Sequence, residues 1–222
     1  MTIERLFVLW ADRDGRRHVV GHLCRAAGTF AFWYDASLPA AEAQGFVRLA
    51  AFDEVRDEAR PYEARYLFAT FAERIPVKAR PDLAELLQEW GVEHADDQFE
   101  ILAKSGGVSA TDRLELAEYR CADDDLRVPL ELRVAGSRHQ PTIAVHPGAP
   151  VMLEREPGNS IDACATLVLA DTRERIGYVP RQYSQLFAGL LDRGTTLRAE
   201  AVRRLTLPED APRWVIRARR AD

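Results

Sequence analysis

The chain is poor in several residue types, and each scarcity excludes something. Its three cysteines, Cys24, Cys121 and Cys164, are odd in number, far apart and without a C-x-x-C pair. That argues against a disulfide framework and against a zinc site, and for a reducing compartment. No run of about 18 apolar residues occurs, so no membrane span is expected and a membrane is not an expected partner. The opening MTIERLFVLWADRDGRR holds only a short apolar run, Leu6 to Trp10, with no cleavage-site pattern. A signal peptide is therefore not expected, and a cytoplasmic location is. Lysine is confined to Lys78 and Lys104, so every basic residue after position 126 is arginine.

What is present suffices for a folded core. Hydrophobic residues make up 47% and charged residues 29% of 222 residues, too apolar for a disordered chain. At about 150 residues per domain, that length suits one large domain or two small ones. The net charge of -5 is unevenly spread. Residues 1–126 hold 15 Lys+Arg against 24 Asp+Glu, and residues 127–222 hold 15 arginines against 11 Asp+Glu. The second part, at +4, is suited to an anionic partner such as nucleic acid. Cys121-Ala-Asp-Asp-Asp-Leu126 is the expected boundary, because three consecutive aspartates favour solvent. The expected domains are 1–122 and 127–222.

In the first part, Arg5–Ala11 and His18–Leu23 read as a hairpin around Asp12-Arg-Asp-Gly15, and Thr29–Tyr34 as a third strand. Helices are expected over Pro61–Phe71, over Asp82–Trp90 with Asp82 as the cap, and over Phe99–Lys104, ended by Gly106-Gly107. In the second part, Val128, Leu130, Leu132 and Val134 alternate with polar residues as in a strand. Further strands are expected at 151–153, 166–170, 175–179, 198–207 and 214–218, with a turn at Pro157–Ser160. One helix is expected over Arg181–Leu191. Many short strands around one helix suggest a small open barrel.

Two stretches carry the chemistry: Leu153-Glu-Arg-Glu-Pro-Gly-Asn-Ser-Ile-Asp162, and Ile176-Gly-Tyr-Val-Pro-Arg181. Arginine pairs bidentately with phosphate and stacks on bases, and tyrosine and histidine offer rings, so such a face suits single-stranded nucleic acid. Glu154 and Glu156 share a strand face, and with Asp162 or Asp171 form a candidate Mg²⁺ set for phosphodiester cleavage. The alternatives are structural. Glu154 and Glu156 suit a solvated strand end, Asn159 and Asp162 are good turn formers after Pro-Gly, and His146 beside Pro147-Gly148 suits a loop.

These stretches resemble the HIRAN domain, whose pattern is matched by Arg155, Glu156, Pro157, Asn159, Asp162 and Ala163, then by Ile176 to Arg181. An upstream element is matched by Val134, Gly136 and Arg138. The resemblance spans about residues 127–207. It implies a modified OB-type barrel that holds the free 3′ end of single-stranded DNA. By that resemblance Arg138 and Arg155 are backbone or base contacts, and His139 stands where a ring would stack on a base. Asp162 would meet the terminal hydroxyl, while Tyr178 and Arg181 would flank the next phosphate. Ile161 and Ser160 stand where the family has an aromatic residue and a proline.

Residues 3–118 are similar, more loosely, to the N-terminal subdomain of HipA-type toxin kinases. The similarity runs through Val20-Gly-His-Leu23, Phe30–Tyr34, Tyr66–Phe71 and Phe99–Gly107. The kinase core is absent, which disfavours phosphotransfer, and the resemblance implies a helix-turn-helix, HipB-like antitoxin as partner. The expected fold is α+β: a small mixed domain, then an OB-like barrel with one short helix. The expected function is binding of single-stranded DNA or DNA ends within a toxin–antitoxin or DNA-stress module, with no cofactor required. The alternative is a DNase toxin that uses Mg²⁺ on Glu154, Glu156 and Asp162.

Overall fold

A computed structural model describes residues 3–140, 143, 145–207 and 210–221, without the side chains of 138, 206, 207 and 210–213. It divides into two compact units, Met1–Tyr119 and Arg120–Asp222.

The first unit is built on a five-stranded antiparallel sheet. Strands β1 (Arg5–Ala11) and β2 (Arg17–Ala26) form the expected hairpin. The Asp12 carboxylate accepts the Asp14 and Arg16 amides, each at 2.9 Å, and meets His18 Nε2 at 3.0 Å, so one side chain organises the turn. Strand β3 (Thr29–Tyr34) follows through Ala27 and Gly28, both at positive φ, as a two-residue hairpin loop requires. Strands β4 (Tyr62–Ala64) and β5 (Leu114–Glu118) complete the order β4-β3-β2-β1-β5.

Leu6, Val8, Leu23, Phe32, Phe71 and Phe99 form the core of this unit. Phe32 and Phe52 pack with ring centroids 4.3 Å apart. Tyr34 donates its hydroxyl to the Phe52 carbonyl at 2.6 Å, and burial pushes its phenol up to about 12. At the end of β3, Asp35 meets His22 Nε2 at 2.8 Å. Burial works to raise the Asp35 carboxyl, but the bonds from His22 and Ser37 outweigh it and hold the group at about 2.

The helices are α1 (Leu38–Ala43), α2 (Ala69–Ala72), α3 (Leu83–Trp90) and α4 (Gln98–Ser105). The helix expected over Pro61–Phe71 does not form. Tyr62–Ala64 pairs with β3 instead, where the Tyr62 ring packs 5.0 Å from Phe52, and only α2 is helical nearby. Tertiary packing here overrides local preference. Asp82 does not cap α3 either, because its carboxylate is held by Arg80. Asp97 is the residue that caps a helix, accepting the Phe99 and Glu100 amides of α4 while bound to Arg25. Helix α1 and strands β4 and β5 were not expected from local pattern.

The second unit is a six-stranded antiparallel sheet. Its strands are β6 (Leu130–Arg133), β7 (Pro150–Arg155), β8 (Thr166–Ala170), β9 (Arg175–Tyr178), β10 (Leu197–Leu207) and β11 (Asp210–Arg220), in the order β6-β11-β10-β7-β8-β9. The sheet curls until its two edges meet: Ala135, just past β6, exchanges backbone hydrogen bonds of 2.8 and 2.9 Å with Tyr178 of β9. Leu130, Leu132, Val168, Ile176, Ile216 and Ala218 fill the interior. Helix α5 (Arg181–Asp192) presents Tyr183, Leu186, Phe187 and Leu190 as its buried face, as the periodicity indicates. The fold is α+β, with an OB-like curled sheet and one full helix in the second unit. Leu126, inside the acidic boundary stretch, is fully buried in this unit and accepts the Arg220 amide.

Candidate nucleic-acid interface

Pairing at one end of the barrel draws three separate sequence segments together. The first is the 3-10 turn Ser137–His139 after β6, the second the β7–β8 loop, and the third the β9–α5 junction. The Ala135–Tyr178 pair sets the first against the third. The second joins them because Leu167 is opposite Tyr178 and the Val179 amide donates to the Thr166 carbonyl at 2.9 Å.

Gly177 makes this closure possible. A Cβ at Gly177 would stand 2.7 Å from Val134 Cγ1 and in collision with the Ala135 carbonyl oxygen. Only glycine lets β9 approach the 134–137 backbone this closely. Gly136 takes φ +77 to turn the chain into the 3-10 turn, a backbone state that glycine adopts without strain. Ser137, buried, ties the turn down: its hydroxyl donates to the Val134 carbonyl at 3.0 Å and accepts the Trp214 amide at 3.3 Å.

The β7–β8 loop is held from within. Glu156 starts a turn closed by the Asn159 amide, and its carboxylate accepts Asn159 Nδ2 at 2.5 Å. Asn159 Oδ1 accepts the Ile161 and Asp162 amides, and Asp162 Oδ1 accepts the Cys164 amide at 2.8 Å. Arg155 then clamps the loop. Its guanidinium donates to the Ala165 carbonyl at 2.7 Å, the Ala163 carbonyl at 3.2 Å and both oxygens of Asp192 at the end of α5. At 17% side-chain exposure, Arg155 faces the protein. Ile161, in contrast, is 67% exposed on this loop.

Other expected site residues divide accordingly. Tyr178 is half-buried, and its hydroxyl accepts from Arg175 at 3.2 Å. Arg181 is exposed in the first turn of α5, with no ion pair among the described residues. His139 is exposed on the 3-10 turn, and the side chain of Arg138 lies outside the described residues. The three carboxylates of the Mg²⁺ alternative are not gathered. Glu154 pairs with Arg173 at 2.7 Å, Glu156 with Asn159, and Asp162 with the Cys164 amide. Among the described residues, the group close enough to share a cation is Glu93, His94 and Glu100, in the first unit. Asp171 turns its Oδ1 to the Thr172 amide. His146 sits exposed in a loop.

Asp192 and Ser137 were missed, since each works on groups distant in sequence: Arg155 is 37 residues from Asp192, and Trp214 is 77 from Ser137. No local spacing signals such contacts.

The turn chemistry makes a direct prediction. Asp162→Asn keeps an acceptor for the Cys164 amide and should leave stability within about 0.5 kcal/mol. Asn159→Ala strands two amides and should cost about 1–2 kcal/mol. Urea unfolding of the two variants checks the contrast, and equal losses would contradict it.

Comparison with known proteins bears on this unit. The family model of the HIRAN domain matches residues 129–211. Among solved structures, the HIRAN domain of human HLTF is similar at 19% identity, over 41% of this chain and 75% of that one, with a TM-score of 0.33. A protein from Lactobacillus plantarum is similar at 26% identity, over 40% of this chain and 91% of that one, with a TM-score of 0.31. A search of curated proteins returns no match. The resemblance of residues 3–118 to HipA-type kinases is not confirmed by these comparisons. It is residues 129–211, within the second unit, that the family match assigns to the HIRAN domain.

Proposed function

We propose that the second unit binds DNA at this end of the barrel and prefers single strands or free ends. The observation that carries the reading is the convergence of the 3-10 turn, the internally bonded β7–β8 loop and the β9–α5 junction on one rim. That rim holds Tyr178, His139 and the exposed cation Arg181. A ring beside a cation on a rigid scaffold suits a base followed by a phosphate. The HIRAN match over the same residues supports DNA as the ligand.

The hydrogen bonds and exposures support a role for each residue of the rim. Arg181 contacts phosphate, and Tyr178 and His139 offer rings. Arg155 is a positioning residue, because four of its hydrogen bonds go to Ala163, Ala165 and Asp192. Asp162 uses Oδ1 within the loop, and its second oxygen, with no bond among the described residues, would accept a terminal hydroxyl. Ile161 offers apolar contact in place of a ring. Binding of this kind needs no metal.

Fluorescence anisotropy at several salt concentrations tests this on the full chain. Arg181→Ala should weaken binding to single-stranded oligonucleotides of every sequence and make the log–log salt slope shallower by about 0.7, one single-strand phosphate contact. Tyr178→Ala should cost about 1–3 kcal/mol, one stacked base. If the unmutated protein binds no single-stranded or tailed oligonucleotide at low salt, the reading fails.

A further inference from the structure

The outer face of the β10–β11 hairpin carries charge that the barrel end does not use. Directly paired residues of an antiparallel ladder place their side chains on the same face. Along this face Arg217 is opposite Glu200 of β10 and Glu131 of β6. Its guanidinium reaches both carboxylates, at 3.2 and 2.7 Å. Arg203, at the bulge of β10, reaches the other oxygen of Glu131 at 2.8 Å. These arginines are matched by glutamates.

The next pair on the same face is not. Arg198 stands directly opposite Arg219, while Arg220, opposite Leu197, belongs to the other face. All three arginines are exposed, and none forms an ion pair among the described residues. The chain near Leu126, whose carbonyl accepts the Arg220 amide, brings Asp124 and Asp125, but these pair with Arg120 and Arg127. Like charges directly opposite destabilise a ladder. A wall that neutralises Arg217 and Arg203 yet leaves Arg198 and Arg219 facing each other keeps unused donors for an external anion. Each guanidinium carries five N–H donors in a planar fork suited to phosphate oxygens.

We propose that Arg198 and Arg219 form a phosphate clamp on the outer wall of the barrel, which binds the backbone of nucleic acid apart from the segment held at the rim. The phosphate chemistry rests on the two arginines, and its assignment to nucleic acid rests on the DNA-binding reading. An open, exposed face favours a polymer over a small ion, because a chain of phosphates engages Arg198 and Arg219 together, whereas one ion on an open surface competes with water.

The test compares the full chain with R198T/R219T, in which threonine retains strand preference. The probes are a blunt duplex of about 20 base pairs with phosphate-blocked 3′ ends, a single strand of about eight nucleotides with a free 3′ end, and inorganic pyrophosphate, a charge comparison suggested by the counterion-release picture. The variant should bind the blocked duplex about tenfold more weakly, with a log–log salt slope shallower by about 1.8, two duplex phosphate contacts. It should keep the affinity of the unmutated protein for the short single strand. Its Tm should be unchanged or higher, since the repulsion is gone. Equal duplex binding by both proteins, or none by the unmutated one, overturns the clamp. Pyrophosphate that raises the Tm of the unmutated protein alone, without duplex binding, overturns its assignment to nucleic acid. Failure of the rim reading is separate, because it appears as an Arg181→Ala variant that binds the short strand undiminished.

Discussion

Gly177→Ala should destabilise the second unit by about 3 kcal/mol. The new Cβ would meet the Ala135 carbonyl and Val134 Cγ1, so the clash falls on backbone as well as side chain. Neither can yield without parting β9 from the 134–137 segment, where the two edges of the sheet meet. The loss therefore extends to function. Tyr178 follows Gly177 directly, and parting the edges separates its ring from the turn bearing His139. Chemical denaturation followed by far-ultraviolet circular dichroism, with DNA binding measured in parallel, checks both effects. Gly158→Ala is the control. No atom lies within 4 Å of a Cβ there, so stability should change little. Similar losses for the two variants would remove the explanation.

Arg155→Ala is expected to weaken DNA binding strongly without removing a phosphate contact. The guanidinium joins the β7–β8 loop to the end of α5. Its loss leaves the Ala165 carbonyl with the Glu156 amide alone, removes the donor to the Ala163 carbonyl and frees Asp192. Losing these charge-assisted hydrogen bonds should cost about 2 kcal/mol. The loop carrying Asn159, Ile161 and Asp162 then loses its anchor. The discriminating measurement is the salt dependence. A positioning residue lowers affinity and leaves the log–log slope as it was, whereas a phosphate contact lowers both, as expected for Arg181→Ala. A slope reduced by about one contact in Arg155→Ala would instead place Arg155 on the DNA. Arg155→Lys should recover little of the loss, because one ammonium cannot serve three acceptor groups in a planar fork.

The two arginines show how far residue type alone can be read. Both lie in motif positions, and both are cations in a basic half. Their environments differ, with Arg155 bonded inward to main chain and Asp192 and Arg181 exposed at a helix start. Likewise, Glu154 and Glu156 share a strand period, but each finds a different neighbour, Arg173 and Asn159, so proximity in sequence does not become a shared metal site.

Local pattern alone determined much of the molecule. Alternation marked the β6 segment, the aromatic run marked β3, Asp-Gly marked the first hairpin, and the spacing of Tyr183, Leu186, Phe187 and Leu190 marked α5. These signals are legible because each element hides one face, and the period of hiding is written in neighbouring residues. The HIRAN-like stretches were legible for a related reason. Gly177, Asn159 and Asp162 meet constraints of backbone approach and turn bonding that only certain residue types satisfy. Tertiary structure decided the rest. Tyr62–Ala64 became a strand because β3 offered it a hydrogen-bonding edge and Phe52 a packing surface. Arg155 became a clamp because chain folding brought Asp192 to it, and Arg198 came to face Arg219 because strand register aligned residues 21 positions apart. Such outcomes depend on contacts between distant residues, whose identity no local period encodes.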